Sequence, residues 1–230
     1  MKGLTRSSFS DYFEFIQLRL QHPEIRSHGT ETWEEHFARL RREHKHAQTD
    51  LQYDLVTTTV NAADYGIPQH RHRVFLVGFR ADLDVDWKFP TQTHSGAALA
   101  LAQHSGHYWQ RHDVPATDQI PIRRKPADDG LLPWVTVREA LSDMPEPDID
   151  GTPGWLDHKL QLGARSYPGH TGSPLDAPSK ALKAGGHGVP GGENMIRFPD
   201  GSLRYYSVRE AARIQTFPDD YRLEGAWRKQ

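Results

Sequence analysis

The sequence predicts an α/β fold, because two helical segments precede two strand-like segments and a long irregular region follows them. Residues 10–23 and 30–46 carry apolar side chains at helical spacing, whereas 53–61 and 73–79 are short β-branched or apolar runs. Helices combined with buried strands are typical of α/β proteins. From about Ala81 the chain becomes rich in Pro, Gly, His and Trp, which indicates a second, irregular domain or a large insertion.

The composition excludes several classes of function. The 230 residues carry a formal net charge of −2, so phosphate binding has to come from local basic patches. The absence of cysteine excludes disulfides, cysteine zinc sites and thiol nucleophiles in this chain. The apolar runs are too short to span a bilayer, and the first residues lead into no signal-peptide core. We therefore expect a cytoplasmic protein with no membrane partner.

The two helical segments have recognisable ends. In the first, Ser10 is the predicted N-cap and Pro23 follows the last turn. In the second, Thr32 and Glu35 have the spacing of a capping box. One face of the second helix is predicted to hold Trp33, Phe37 and Leu40.

A basic cluster lies at the N-terminal end of the second predicted strand. Residues 73–79 form a nearly continuous apolar run, as in a strand covered on both faces. Just before them, Gln69, Arg71 and Arg73 alternate and would project to one side of an extended segment. Arginine donates in a planar fork that suits phosphate oxygens or a base carbonyl. On composition alone, an ordinary exposed basic strand end is the favoured explanation, since short basic clusters are common.

The irregular region contains one stretch that could approach a phosphate chain. Residues 177–194 (APSKALKAGGHGVPGGEN) place Lys180, Lys183 and His187 among glycines, whose backbone can come close to a ligand. A flexible surface loop is the alternative. Neither a GxGxxG nor a Walker pattern occurs there, which excludes the standard nucleotide loops. Residues 135–145 are a short helix candidate.

Histidines in the same region do not predict a metal site. His104 and His107 have the spacing of a chelating pair, and His112 follows. Gly106 lies between them and a third type of ligand is missing, so we interpret these side chains as solvated histidines.

The last segment is regular again. Residues 207–217 predict a helix, with Ser207 and Glu210 at capping-box spacing and Pro218 after its end. Considered alone, this segment is a structural helix.

Two of these stretches resemble motifs of the DNA cytosine-5 methyltransferases. NAADYGIPQHRHR resembles the family's eighth motif, in which Gln-x-Arg-x-Arg follows Asn-x-x-x-(Tyr/Phe)-Gly-x-Pro, and Gln69, Arg71 and Arg73 fill its kernel. SVREAARIQTFPDDY resembles the ninth motif. The residues that match this ninth motif are Arg209, Glu210, Arg213, Gln215, Phe217 and Pro218. The irregular stretch between the two lies where the family carries its target recognition domain.

Other motifs of that family do not occur in the sequence. The cofactor loop Asp-x-Phe-x-Gly-x-Gly is missing, and so is the Pro-Cys loop with its nucleophilic cysteine. Lys2-Gly3-Leu4 resembles the sequence that follows the family's Glu-Asn-Val motif. The family's final Gly-Asn motif is missing too. The chain therefore resembles the C-terminal part of such an enzyme, and we expect no catalytic residue in it.

The resemblance implies an architecture and its ligands. We expect residues 1–80 to form the C-terminal part of a Rossmann-like, S-adenosylmethionine-dependent catalytic domain. Residues 81–203 would be a small, irregular target recognition domain, and 204–230 a helix that returns to the catalytic domain. The complete enzyme would use S-adenosylmethionine and double-stranded DNA.

The resemblance also implies roles for particular residues. Gln69, Arg71 and Arg73 are expected to contact a flipped cytosine or its phosphates, or to support the loop that does so. The expected DNA-binding residues of the recognition domain are Lys180, Lys183, His187, Glu193 and Asn194. The residues expected to join the recognition domain to the catalytic domain are Arg209, Glu210, Arg213 and Gln215.

Three hypotheses follow for the function. The first is one part of a DNA cytosine-5 methyltransferase, in a setting such as restriction–modification, which methylates only with a second chain that carries the N-terminal motifs. The second is a non-catalytic DNA-binding module. The third is an inactive, truncated remnant, whose apolar strand edges would be exposed.

Overall fold

A computed structural model describes residues 4–46, 50–182 and 194–224, and it combines helices with short strands. The chain divides into two compact units. Unit 1 comprises Met1–Val60 and His72–Thr91, and unit 2 comprises Asn61–Arg71 and Gln92–Gln230. None of the helices within the described ranges is long and apolar enough to cross a membrane. The predicted functional boundaries after residues 80 and 203 remain a prediction.

Unit 1 begins with two helices, α1 (Ser10–Gln21) and α2 (Trp33–Glu43). The capping box of α2 is confirmed, since Thr32 Oγ1 accepts from the backbone N–H of Glu35 and the Glu35 carboxylate accepts from that of Thr32. The N-cap prediction for α1 was wrong. Ser10 is its first residue, because a 3₁₀ turn precedes the helix and the Ser10 hydroxyl donates back to the Ser7 carbonyl.

The core of unit 1 lies between these helices. It consists of Leu18, Ile25, Phe37 and Leu40, with Phe15 packed against it. Trp33 shares the predicted face of α2, but it remains 38% exposed at the edge of this core. Arg39 on α2 forms an ion pair with Glu31 and holds the pKa of that carboxyl at about 2. The ion pair therefore fastens the segment before α2 to the helix itself.

Two strands follow, β1 (Tyr53–Asn61) and β2 (His72–Arg80), and they pair with each other. Backbone bonds from Ala62 to Arg71 and from Ala81 to Gln52 bracket the pair, so the strands are antiparallel. The expectation that β2 is covered on both faces was wrong for the described residues. Phe75 is 44% exposed, although its ring packs against that of Phe89 with centroids 5.5 Å apart.

Unit 2 contains the remaining elements, most of them short. The strands are β3 (His94–Ser95), β4 (Leu132–Pro133), β5 (Ser173–Pro174), β6 (Met195–Arg197) and β7 (Leu203–Tyr205). The helices are α3 (Gly96–His104), α4 (His107–Arg111), α5 (Val137–Leu141) and α6 (Val208–Ile214). β3 pairs parallel with β4, and β6 lies between a parallel β5 and an antiparallel β7.

Two apolar clusters organise unit 2. One packs α3 and α4 together through Leu99, Tyr108, Trp109 and Val114, with Trp134 against it. The other joins α5, β6 and α6 through Val137, Ile196, Tyr206 and Ile214. The region from Ala81 therefore contains more helix than the sequence predicted, and α5 is shorter than the candidate at 135–145. The predicted helix at the end of the chain is confirmed as α6, including its capping box.

Candidate nucleic-acid interface

Gln69 and Arg71 of the predicted arginine motif lie on the connection between β1 and β2, here called the motif loop (residues 61–71), whereas Arg73 lies within β2. After Asn61 the chain forms a 3₁₀ helix, Ala62–Tyr65, which ends at Gly66 in the left-handed region at φ 84°. Glycine adopts this conformation without the steric strain that a Cβ atom would bring. The loop then turns into β2 at His72.

Gly66 is also a point of close approach. A Cβ atom added there would lie 2.8 Å from Cε1 of His94, whose ring is held by Thr93 Oγ1 at 2.8 Å. The absence of a side chain at Gly66 therefore lets the motif loop pack against the beginning of β3.

Replacing Gly66 with alanine should destabilise unit 2 more than the same change at Gly106. Both glycines have a φ of 84°, so each alanine has a left-handed backbone cost of roughly 1–2 kcal/mol. Only Gly66→Ala adds the clash with His94, for which overpacking typically costs about 1–3 kcal/mol. Denaturant unfolding of the two variants measures the difference. Equal destabilisation would contradict the proposed packing, because apart from its chain neighbours no described residue lies within 4 Å of a Cβ at Gly106.

The motif loop pairs with a segment from the other end of unit 2. Gln69 forms a parallel β-bridge with Ser179. The His70 N–H donates to the Ser179 carbonyl at 2.8 Å, and the Ser179 N–H donates to the Pro68 carbonyl at 2.9 Å. Ser179 directly precedes Lys180, so the pairing places Gln69 and Lys180 on adjacent backbone segments. Both residues were predicted to contact DNA, from separate parts of the sequence.

The side chain of Gln69 is enclosed. It is 1% exposed, and neither its Nε2 nor its Oε1 has a hydrogen-bond partner among the described residues. A buried amide without partners is unusual in native proteins, because desolvating it costs about 1–3 kcal/mol. Its two donors and its acceptor are therefore available to a polar group that enters this position.

Hydroxyl groups line the partner segment of the motif loop. Ser173 Oγ lies 3.2 Å from Ser179 Oγ, and the Tyr206 hydroxyl donates to Ser179 at 3.2 Å. Burial raises the pKa of Tyr206 to about 12, which keeps this hydroxyl protonated and able to donate. The Lys180 N–H donates to Ser173 Oγ at 3.0 Å. This network fixes the backbone from which Lys180 projects.

The two arginines of the motif have different settings. Arg71 belongs to unit 2, and its backbone N–H donates to Asn61 Oδ1 at 3.0 Å. Arg73 lies within β2 in unit 1, and its Nη1 donates to the His72 carbonyl at 2.7 Å. Both are partly exposed. Each can therefore still present guanidinium donors to an anion or a carbonyl group.

The predicted DNA-binding residues are described only in part. The Lys180 ammonium donates to Thr171 Oγ1 at 2.8 Å, a contact that a phosphate could replace. The Asn194 carbonyl accepts from the Tyr206 N–H at 3.0 Å. The predicted contacts Lys183, His187 and Glu193 lie outside the described residues, so their role stays a prediction.

Arg209 is a structural centre of unit 2. Its side chain is fully buried, and it donates four hydrogen bonds to oxygens of two separate segments. The acceptors are the carbonyl groups of Leu156, Pro218 and Tyr221 and the carboxylate of Asp157. Arg209 therefore ties α6 to the chain on either side of it.

The other predicted joining residues also make contacts within unit 2. Glu210 accepts two bonds from Arg204, at 2.7 and 2.8 Å. Arg213 contacts Asp143 and Asp219 and lowers the pKa of both carboxyls. Gln215, by contrast, is exposed at the end of α6. Their joining of the recognition domain to a catalytic domain remains a prediction.

The histidines weighed as metal ligands lie in separate environments. His104 Nδ1 is 2.9 Å from the Ile122 carbonyl, and His112 Nε2 lies 3.5 Å from Glu139. His107 begins α4. Within the described ranges, no three His, Asp or Glu side chains group in a way that could hold a metal ion.

Several residues of this interface were missed by sequence reasoning. They are Asn61, Asp64, Trp134, Ser173, Ser179 and Tyr206. The first two lie inside the quoted motif, where their polar side chains beside a glycine turn were an available signal. The others come from distant segments, and no spacing in the sequence points to the contacts of Trp134 and Ser179 with the motif loop or of Ser173 and Tyr206 with Ser179.

The sequence is similar to one family of known proteins and to several curated relatives. The model of the C-5 cytosine-specific DNA methylase family matches residues 36–229. The chain is 30% identical over 188 residues to the type II methyltransferase M.BspRI of Lysinibacillus sphaericus. The aligned region covers 74% of this chain and 34% of that protein. It is 28% identical over 200 residues to M.MthTI of Methanothermobacter thermautotrophicus, covering 75% and 48% respectively.

A further relative gives the same picture. The type II methyltransferase M.Eco47II of Escherichia coli is 31% identical over 188 residues, or 79% of this chain and 42% of that protein. The chain thus spans about a third to a half of the length of these curated relatives.

Proposed function

Because the chain belongs to the C-5 cytosine-specific DNA methylase family, we propose that it binds double-stranded DNA and positions a flipped cytosine for methylation at C5. A base has to leave the helical stack before an enzyme can reach its ring atoms. The part of the family domain in this chain would hold the DNA and the extruded base.

One observation carries this proposal. The pairing of Gln69 with Ser179 puts the motif loop next to Lys180, so a residue expected to contact the base and a residue expected to contact the duplex lie on paired backbone segments. A net charge of −2 for the whole chain does not favour a nonspecific basic coat. It favours a local contact of this kind.

The side chains of this interface are suited to different contacts with DNA. Arg71 and Arg73 would donate to the phosphates that flank the flipped cytosine or to its ring carbonyl, since guanidinium groups match both acceptors. Lys180 would contact phosphate as a point charge. Phosphate contacts fix the position of the protein on the duplex, whereas base-edge contacts from residues 81–203 would determine which site is recognised.

The chemical step itself needs groups that this chain does not supply. Adding a thiolate to the cytosine ring requires a cysteine, and the sequence contains none. S-adenosylmethionine would supply the methyl group, but the described residues do not fit it, since β1 and β2 each lead into a 3₁₀ helix and no glycine-rich loop opens an α-helix after them. We therefore propose that a second chain carries the cysteine and the cofactor loop.

A non-catalytic DNA-binding module is the second candidate. The absence of cysteine favours it, because a chain that lacks the nucleophile can still bind and recognise DNA. The two candidates share the same interface. They differ in whether a complementing chain restores methyl transfer.

A methyl-transfer assay separates them. The purified chain is mixed with radiolabelled S-adenosylmethionine and duplex DNA of mixed sequence, with and without the product of the adjacent upstream gene. We expect transfer only in the mixture that contains both proteins. Binding of the same duplex is measured in parallel by fluorescence anisotropy at several salt concentrations, because phosphate contacts give a salt-dependent affinity.

Each outcome decides between the candidates. Duplex binding without transfer in the mixture, with both proteins folded, would favour the binding module. Methyl transfer by this chain alone would contradict the proposal that a second chain supplies the cysteine, since this chain has none to attack the ring. A folded chain that does not bind duplex DNA would contradict both candidates.

A further inference from the structure

Trp134 lies between β4 and α5, where its ring is firmly held. The ring packs against the cluster formed by α3 and α4. A Cβ atom added at Gly96 would lie 2.6 Å from this ring, which shows how closely the backbone of α3 approaches it. The backbone N–H of Trp134 also donates to the Ser95 carbonyl at 3.2 Å. The indole is therefore fixed by the region expected to read the DNA sequence.

A chain of hydrogen bonds leads from this indole to the backbone of the arginine motif. Trp134 Nε1 donates to Asp64 Oδ1 at 2.9 Å. The same carboxylate oxygen accepts from Asn61 Nδ2 at 3.4 Å. Asn61 Oδ1 in turn accepts from the backbone N–H of Arg71 at 3.0 Å. Asn61 Nδ2 also lies 3.4 Å from His70 Nδ1. The position of the Arg71 backbone thus depends on an amide that Asp64 and His70 both hold.

Two further contacts hold the same loop. The ring of His70 meets the Trp134 ring edge-on, with centroids 4.8 Å apart. The Thr93 N–H donates to the Asp64 carbonyl at 2.9 Å. Asp64 is therefore bound through both its side chain and its backbone to residues that follow β2 in the sequence.

We infer that Trp134 and Asp64 are positioning residues, through which the region expected to read the DNA sets the backbone of Arg71. The arginine motif would then be oriented by the recognition region, and a shift of that region on DNA would reach Arg71 through Asn61. This role for the arginine rests on the proposed function. The hydrogen-bonded chain itself does not, and it can be tested without DNA.

A purely structural role for the indole would look different in solution. If Trp134 only filled space, its loss would destabilise unit 2 as a whole and speed hydrogen exchange at many of its amides. A positioning role instead predicts a local change at the Arg71 amide. The measurement must therefore compare that amide with a distant one in the same unit.

The experiment follows amide hydrogen exchange by NMR in the full chain. Trp134→Phe keeps most of the ring but removes its N–H, and Trp155→Phe removes the same group elsewhere in unit 2. Asp64→Ala removes the shared acceptor, whereas Asp64→Asn retains an oxygen that can accept from Trp134. The amide of Ala211, which bonds to the Ser207 carbonyl in α6, is the internal reference.

We expect exchange at Arg71 to rise about tenfold in Trp134→Phe and Asp64→Ala, the factor that corresponds to the loss of one hydrogen bond. Asp64→Asn and Trp155→Phe should remain close to wild type, and Ala211 should not change. Unchanged exchange at Arg71, or a uniform rise across unit 2, would overturn the inference.

Duplex affinity is measured separately on the same proteins. If wild type binds DNA, Trp134→Phe should weaken binding roughly five- to tenfold, while Trp155→Phe should leave it unchanged. Equal affinity of wild type and Trp134→Phe would overturn the coupling to DNA. If wild type does not bind, the proposed function fails, and a local rise in Arg71 exchange still supports the hydrogen-bonded chain.

Discussion

Arg73→Ala should reduce methyl transfer by the complemented enzyme roughly 10- to 100-fold, the loss typical of a charged hydrogen bond to substrate. The guanidinium donates to the carbonyl of its sequence neighbour His72. Its removal should therefore leave β2 intact, and the effect would lie in contacts made to DNA. Initial rates at saturating and limiting duplex concentrations separate a loss of binding from a loss in the chemical step.

Arg80→Ala is the matched control for this substitution. Arg80 lies at the other end of β2 on the opposite face, and it is paired with Asp82. Removing an exposed pair of this kind usually changes stability very little, because water screens both charges. If Arg73→Ala retained full activity, or if Arg80→Ala lost as much, the assignment of Arg73 to DNA contact would be wrong.

Arg209→Met should lower the free energy of unfolding of unit 2 by about 3–5 kcal/mol, the range for breaking a buried ion pair from one side. Methionine keeps much of the apolar stem but removes the donor to the carboxylate of Asp157 and to the carbonyl groups of Leu156 and Tyr221. The Pro218 carbonyl also loses Arg209 but keeps the bond from the Tyr221 N–H. Urea unfolding monitored by tryptophan fluorescence measures the change. Arg209→Lys should fall in between, because one ammonium group cannot reach all four acceptors.

Arg213→Met provides the comparison on the same helix. Arg213 makes ion pairs with Asp143 and Asp219, whose carboxylates are largely open to solvent. Its loss should therefore cost about 1 kcal/mol or less. If both methionine variants lowered the free energy of unfolding by a similar amount, the hydrogen bonds of Arg209 would not stabilise unit 2 as predicted.

The features that the sequence predicted correctly are those set by neighbours along the chain. The capping boxes of Thr32 with Glu35 and of Ser207 with Glu210 are both present, because each needs only two residues three positions apart. The same holds for α1, α2, β1 and β2. Even so, the start of α1 moved by one residue, since a 3₁₀ turn competes locally with the helix.

The features that were missed depend on tertiary contacts. The segment of α3, Gly96–His104, is apolar on nearly every side and begins with glycine, so it lacks the periodicity that marks a helix. The half-exposed state of Phe75 depends on which segments cover β2. The bridge of Gln69 to Ser179 joins residues far apart in the sequence. None of these could be read from local pattern.

The candidate site shows the same division. The motif identified Gln69, Arg71 and Arg73 as a group, but it could not show that Gln69 is enclosed while the two arginines reach the surface. Nor could it show that Trp134 contacts Asp64. Burial and pairing across a chain are decided by packing, and composition does not contain that information.

The unpartnered amide of Gln69 has a consequence for how this position can evolve. An apolar side chain of similar size, such as methionine, would fill the same enclosed volume without desolvating polar atoms. Selection for thermal robustness alone would therefore drive glutamine out. The proposed contact of Gln69 with DNA would set recognition against robustness, and a variant that gained stability by replacing this glutamine would lose that contact.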